Sequence, residues 1–173
     1  MVQVRLPDPS VVLMIGPAGS GKSTLASRLF SPDEILSSDA FRAAIAGDPR
    51  DQRATGAAFR AIGRTLERRL AAGRLTVIDA TNVRAADRRP WLAAARRHGL
   101  TAMAIVLDLP ADVVMAQDAG RDRVVGAEIV ERHRAALRRT LDRAELGREG
   151  VDPVVVLRTT DEARALTLAR TRV

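Results

Sequence analysis

A chain of 173 residues with 46% hydrophobic and 28% charged side chains has the size and balance of an ordinary globular domain able to bury a core. It has no cysteine, which excludes disulfides and thiolate metal sites and fits a reducing, cytoplasmic location, and no apolar run reaches the about 18 residues of a membrane span. The net charge of +7 favours a polyanionic partner, although Ala and Arg are abundant throughout and a compositional bias explains the excess equally well.

Met1 to Ser10, with Arg5, Asp8 and two prolines, lacks the layout of a secretory signal. Val11 to Ile15 is a continuous apolar run, as expected of a strand buried on both faces, and Lys22 to Phe30 opens a helix directly from a glycine loop. Ile35 to Ser37 reads as a short strand and Asp39 to Ala46 as a short helix, followed by a Gly and Pro break at Gly47 to Asp51. Arg53 to Ala72 is a long helix stopped by Gly73. Leu75 to Ile78 is the third strand, Ala85 to His98 a helix and Thr101 to Leu107 the fourth strand. Ala111 to Ala119 and Val125 to Leu146 read as helices flanking the turn Gly120-Arg121-Asp122-Arg123, before a fifth strand at Val154 to Leu157 and a closing helix at Asp161 to Arg170. Strands alternating with helices, without repeats or linkers, predict an α/β fold in one domain over 1–173, with a five-stranded parallel sheet covered by helices on both faces.

Gly16-Pro17-Ala18-Gly19-Ser20-Gly21-Lys22-Ser23 matches the pattern G-x-x-x-x-G-K-S/T, placed between strand and helix as the phosphate-binding loop (P-loop) requires. Its glycines let backbone N–H groups turn inward as an anion nest, and the helix opening at Lys22 and carrying Thr24 adds its positive end. In this chemistry Lys22 reaches the β- and γ-phosphates of ATP and the Ser23 hydroxyl ligates Mg²⁺. Of the 28 basic residues Lys22 is the only lysine, which marks a position where a compact ammonium is required and a planar guanidinium does not serve. Asp79, at the end of the third strand, is a candidate neighbour of the metal; capping the turn at Ala80 to Asn82 is the equally weighted alternative.

A P-loop does not name the acceptor. Asp39 and Arg42 stand three apart at a helix start and so share a face: a carboxylate there can accept a hydroxyl's proton while the arginine grips a phosphate. Read locally, Asp39 as a helix N-cap and Arg42 as a solvated residue explain the same spacing.

The run GPAGSGKST, then SSDAFR, LTVIDATN and GRDR in that order, resembles the kinase domain of bacterial polynucleotide kinase-phosphatase, the RNA end-healing enzyme, over nearly the whole chain. The resemblance implies a P-loop kinase fold with a small helical lid at about 111–130, using ATP and Mg²⁺ to phosphorylate 5′-hydroxyl ends of RNA or DNA. It implies that Asp39 is the general base and that Arg42 holds the phosphate 3′ of the attacking nucleoside. Arg121, with Arg123, then contacts the ATP phosphates from the lid; where relatives carry a further lid arginine this chain has Gln117. It also admits a place within a larger end-healing or ligation enzyme and implies no membrane partner. A small-molecule kinase acting on an antibiotic, sugar or nucleoside, and a nucleotide-binding regulatory ATPase, are the alternatives. His98 and His133 are expected to be non-catalytic and Trp91 to pack; Phe41 is the one aromatic beside the proposed site, with a plain core position as its alternative.

Overall fold

The five side chains of Val11–Ile15 are fully buried, because this strand (β2) runs through the middle of a sheet with apolar layers on both sides. A computed structural model describes residues 2–48, 51–120 and 124–172. In it β2 pairs in parallel with β4 (Thr76–Asp79) and β5 (Ala102–Leu107), and the order is completed by β3 (Ile35–Ser37) beyond β4 and β6 (Val151–Leu157) beyond β5. The five-stranded parallel sheet expected from the sequence is therefore present. Pleating sends Val11, Leu13 and Ile15 to one face and Val12 and Met14 to the other. The first face packs against α3 (Thr55–Ala71), α4 (Ala85–Arg97) and α6 (Ala127–Asp142) through Ile62, Leu66, Trp91 and Leu137. The second packs against α1 (Lys22–Leu29) and α5 (Ala111–Ala119) through Leu25, Ala26 and Val114. α2 (Ser38–Ala46) follows β3 directly. No helix of the described residues is long and apolar enough to cross a membrane.

Two expectations need correction. The closing helix ends early: α8 covers Thr160–Ala165, and Leu166–Arg172 is a strand, β7, paired in parallel with the N-terminal strand β1 (Val2–Asp8). Arg28 of α1 donates to the carbonyls of Ala163 at 2.6 Å and Leu166 at 3.1 Å, which takes up acceptors at the end of α8 and leaves the rest of the segment to pair with β1. Leu6 of β1 and Leu166 of β7 are fully buried. The helix expected to run to Leu146 also breaks, after Asp142, at Ala144 with φ of 48°, before α7 (Glu145–Arg148). The break turns the chain back so that Glu149 meets the buried Arg88, which donates to its carboxylate at 2.7 and 2.8 Å.

Asn82 joins this scaffold to the loop after β2. It sits in the left-handed region at φ 50°, which asparagine tolerates better than most residues. Its amide donates to the Met14 carbonyl at 2.9 Å, its Oδ1 accepts from the Trp91 indole at 3.2 Å, and the adjoining Thr81 carbonyl accepts from Gly16 N–H at 3.0 Å. Asn82→Ala removes a donor to the Met14 carbonyl and leaves the buried Trp91 indole N–H without its acceptor, so the expected loss of unfolding free energy is about 3 kcal/mol. Urea titration measures it; a loss below about 1 kcal/mol contradicts this account of Asn82.

Candidate active site

The strand order reverses at β2, whose neighbours β4 and β5 lead to opposite edges, and in such sheets ligands bind at the carboxyl ends beside the reversal. Residues 16–23 leave β2 at that point. Gly19 has φ of 79°, and a Cβ there would stand 2.8 Å from Asp118 Cβ and 3.1 Å from the Val114 carbonyl, so α5 lies directly against the loop. Gly21, at φ 84°, turns the chain into α1. Lys22 is 8% exposed and its ammonium donates to the Pro17 carbonyl at 2.7 Å, across the loop.

Registers along the sheet then place the acidic groups. Met14 of β2 lies opposite Asp79 of β4, and Asp79 opposite Ser37 of β3. The Ser23 hydroxyl donates to Asp79 Oδ2 at 2.7 Å, so Asp79 serves the loop rather than its own turn. Ser37 caps α2, its Oγ accepting from Ala40 N–H at 3.5 Å, which leaves Asp39 one position inside the helix. Arg42 is only 7% exposed and ion-paired with Asp39. The local reading of these two residues as a cap and a solvated arginine does not hold.

Two cavities meet at the loop, and Lys22 and Ser23 line both. One, of about 630 Å³, extends past Thr24 and Gln117 towards Leu109 and Arg164. The other, of about 680 Å³, is bounded by Ser38, Asp39, Arg42, Phe59 and Asp79. Lys22, Ser23, Asp79, Asp39 and Arg42 thus converge on one space, with hard oxygen donors where the loop chemistry requires them. Among the described residues no cluster of three His, Cys, Asp or Glu side chains offers a metal cage. The Ser23 hydroxyl and the Asp79 carboxylate are oxygen donors of the kind Mg²⁺ accepts, an ion that takes few protein ligands. Arg121 and Arg123 lie outside the described residues.

His133 also stands in this site, where no local pattern announces it. α6 brings it into the second cavity, where its Nδ1 accepts from Ala18 N–H at 3.4 Å, which places the ring proton of the neutral form on Nε2. Burial, and then the positive charges of Lys22, Arg84 and Arg132, hold its pKa below the usual histidine value. The aromatic at the cavity is likewise Phe59, stacked on Trp91 with ring centres 5.7 Å apart, whereas Phe41 packs against the core. His98 is remote from the site and contacts Glu67 at 2.8 Å.

This architecture, a P-loop at the reversal point of a five-stranded parallel sheet with a cavity on either side of its lysine, is that of the P-loop kinases. A family model described as an AAA domain matches residues 11–146, and the chain belongs to that family. No curated protein sequence matches it. Among solved structures it is similar to a chain of the Pnkp1/Rnl/Hen1 RNA repair complex, with a TM-score of 0.67 and 18% identity over 80% of this chain and 47% of that one. The chain therefore spans about half the length of that relative. A gluconokinase from Sinorhizobium meliloti 1021 has a TM-score of 0.61 and 16% identity, covering 91% of each chain. The tunicamycin resistance protein of Deinococcus radiodurans has a TM-score of 0.57 and 17% identity, over 93% of this chain and 98% of that one. At these identities the likeness establishes the fold.

The depressed pKa of His133 predicts a pH effect of definite sign. Below about pH 6.5 the unfolded chain takes up this proton more readily than the folded one, so the folded state loses stability as pH falls from 6.5 towards the lowered native value. His133→Asn removes that slope. Carboxylates such as Glu34, held low by its hydrogen bonds from Arg170, lose their contribution only below about pH 4.5, and do so in both proteins. Melting temperatures from pH 8 to 5.5 should show wild type declining relative to the variant; parallel curves refute the effect.

Proposed function

We propose that the protein is an ATP-dependent polynucleotide kinase that transfers the γ-phosphoryl group of ATP to 5′-hydroxyl ends of RNA or DNA. The observation that carries this reading is the Asp39–Arg42 ion pair, on the wall of the cavity that meets the P-loop at Lys22 and Ser23. A hydroxyl activator and a buried phosphate-binding cation are held together there, one cavity away from the nucleotide side. Family membership and the fold shared with a chain of an RNA repair complex support it.

In the proposed reaction the 5′-hydroxyl oxygen forms a bond to the γ-phosphorus as the bond from that phosphorus to the β–γ bridging oxygen breaks. ADP leaves, and the hydroxyl proton passes to the Asp39 carboxylate. Arg42 positions the attacking sugar by gripping the phosphate on its 3′ side. Lys22 and the backbone N–H groups between Gly19 and Thr24 hold the ATP phosphates, where little covalent chemistry is asked of the protein and charge stabilisation dominates. Ser23, with the Asp79 carboxylate beside it, would hold Mg²⁺, which would supply charge neutralisation for the ATP phosphates. Arg121 and Arg123 are assigned to the ATP phosphates from the lid on the resemblance alone. We read residues 1–173 as one kinase unit, compatible with a place in a larger end-healing enzyme.

Asp39→Asn keeps the helix cap at Ser37 and the size of the side chain but removes the base. Turnover should fall by on the order of 10² or more while the KM for ATP stays within a few-fold. A folded variant that keeps its turnover removes Asp39 from the mechanism.

The acceptor is tested with labelled ATP offered alongside 5′-hydroxyl RNA and DNA, nucleoside 3′-monophosphates, bare nucleosides, sugars and aminoglycosides. Oligonucleotides and nucleoside 3′-monophosphates should be phosphorylated and bare nucleosides poorly, a difference that shrinks sharply in Arg42→Ala. Equal use of nucleoside and nucleoside 3′-monophosphate, or labelling of sugar or aminoglycoside alone, replaces this reading with that of a small-molecule kinase.

A further inference from the structure

The charged groups of the acceptor-side cavity are mostly engaged with one another. Arg42 is paired with Asp39, Asp79 accepts from Ser23, Lys22 donates to the Pro17 carbonyl, and Asp87 accepts from the Arg84 backbone N–H at 3.3 Å. Two guanidiniums on the same wall are different. Arg84, at the residue preceding α4, and Arg132 on α6 both line the cavity, both are exposed, and among the described residues no carboxylate is ion-paired with either. They reach the cavity from elements that meet only in the folded chain, and they converge on His133, on whose protonation both weigh. Like charges gathered around a half-buried imidazole and Lys22 repel one another, and an arriving anion relieves that repulsion. Arginine's planar fork suits a phosphate in particular.

A row of merely solvated arginines looks different in this fold. On α3, Arg60, Arg64 and Arg68 recur at every fourth residue on the exposed side and line neither cavity.

We propose that Arg84 and Arg132 form a second phosphate subsite, which takes the internucleotide phosphate one nucleotide beyond that held by Arg42 and makes the enzyme prefer strands over nucleoside 3′-monophosphates. The subsite rests on the polynucleotide reading above and adds a length rule to it. Both residues are positioning residues for the acceptor, so their contribution falls on acceptor KM rather than on kcat.

The experiment compares acceptors with one, two and three phosphates: a 5′-hydroxyl nucleoside 3′-monophosphate, and the di- and trinucleotides each ending in a 3′-phosphate. KM and kcat are measured at two salt concentrations. In wild type the second phosphate should lower acceptor KM about ten-fold and the third should add little. In Arg84→Ala/Arg132→Ala that ratio should fall below about two-fold, and the salt dependence of acceptor KM should flatten by about one unit of log–log slope. Arg84→Lys/Arg132→Lys should restore the slope. Arg60→Ala/Arg64→Ala removes the same net charge from α3 and should leave ratio and slope as in wild type. The subsite is overturned if the Arg84/Arg132 variant keeps the ten-fold ratio, or if the α3 variant loses as much. It is overturned alone, with the kinase reading intact, if wild type phosphorylates all three acceptors with equal KM. If wild type phosphorylates none of them, the polynucleotide reading falls and the subsite with it.

Discussion

The register that sets Met14 opposite Asp79, and Asp79 opposite Ser37, governs the rest of this site. Parallel pairing across three adjacent strands brings three carboxyl ends to one line. The first releases the P-loop, the second delivers Asp79 to the Ser23 hydroxyl, and the third starts α2 with Asp39 and Arg42. Slipping any one pair by a residue would turn these side chains to the other face of the sheet. Continuous burial of β2 and β4 makes such a slip costly, so the core and the chemistry are specified by the same contacts.

The second wall has a different origin. Arg88 of α4 donates to the Asn82 carbonyl and to the Glu149 carboxylate in the segment after α6, and the Thr140 hydroxyl of α6 donates to the Val83 carbonyl at 3.0 Å. This network leaves Arg84 at one side of the cavity and lays His133 against Ala18. Ion pairs that look purely structural therefore also determine where the cavity's cations stand. A buried network of this kind tolerates little trimming, because each removed partner leaves a polar group without water or protein to answer it.

What could be read from the sequence divides along contact range. The P-loop was legible because its chemistry is written in eight contiguous residues, and β2 because a strand buried on both faces is apolar throughout. Asp39 and Arg42 were legible as a pair but not in their burial, since whether Ser37 or Asp39 caps α2 depends on one turn of backbone. His133 was invisible: the residue it meets lies 115 positions away, and a histidine on a polar helix carries no local sign of what the helix packs against. The early end of α8 was hidden for the same reason, because Arg28 reaches the carbonyls concerned across 135 and 138 residues. Local propensity favoured more helix, and a long-range partner decided otherwise.

The two cavities share Lys22 and Ser23 as a common partition. Under the proposed reading, donor and acceptor occupy their own rooms at the same moment and face each other across one ammonium and one hydroxyl. Such a layout has no use for a phosphorylated side chain that carries the group from one room to the other. The kinetic order it implies is sequential, with both substrates aboard before the phosphoryl group moves. The partition also makes the two occupancies interdependent: a change at Lys22 or Ser23 that shifts the nucleotide shifts the ground on which the acceptor stands.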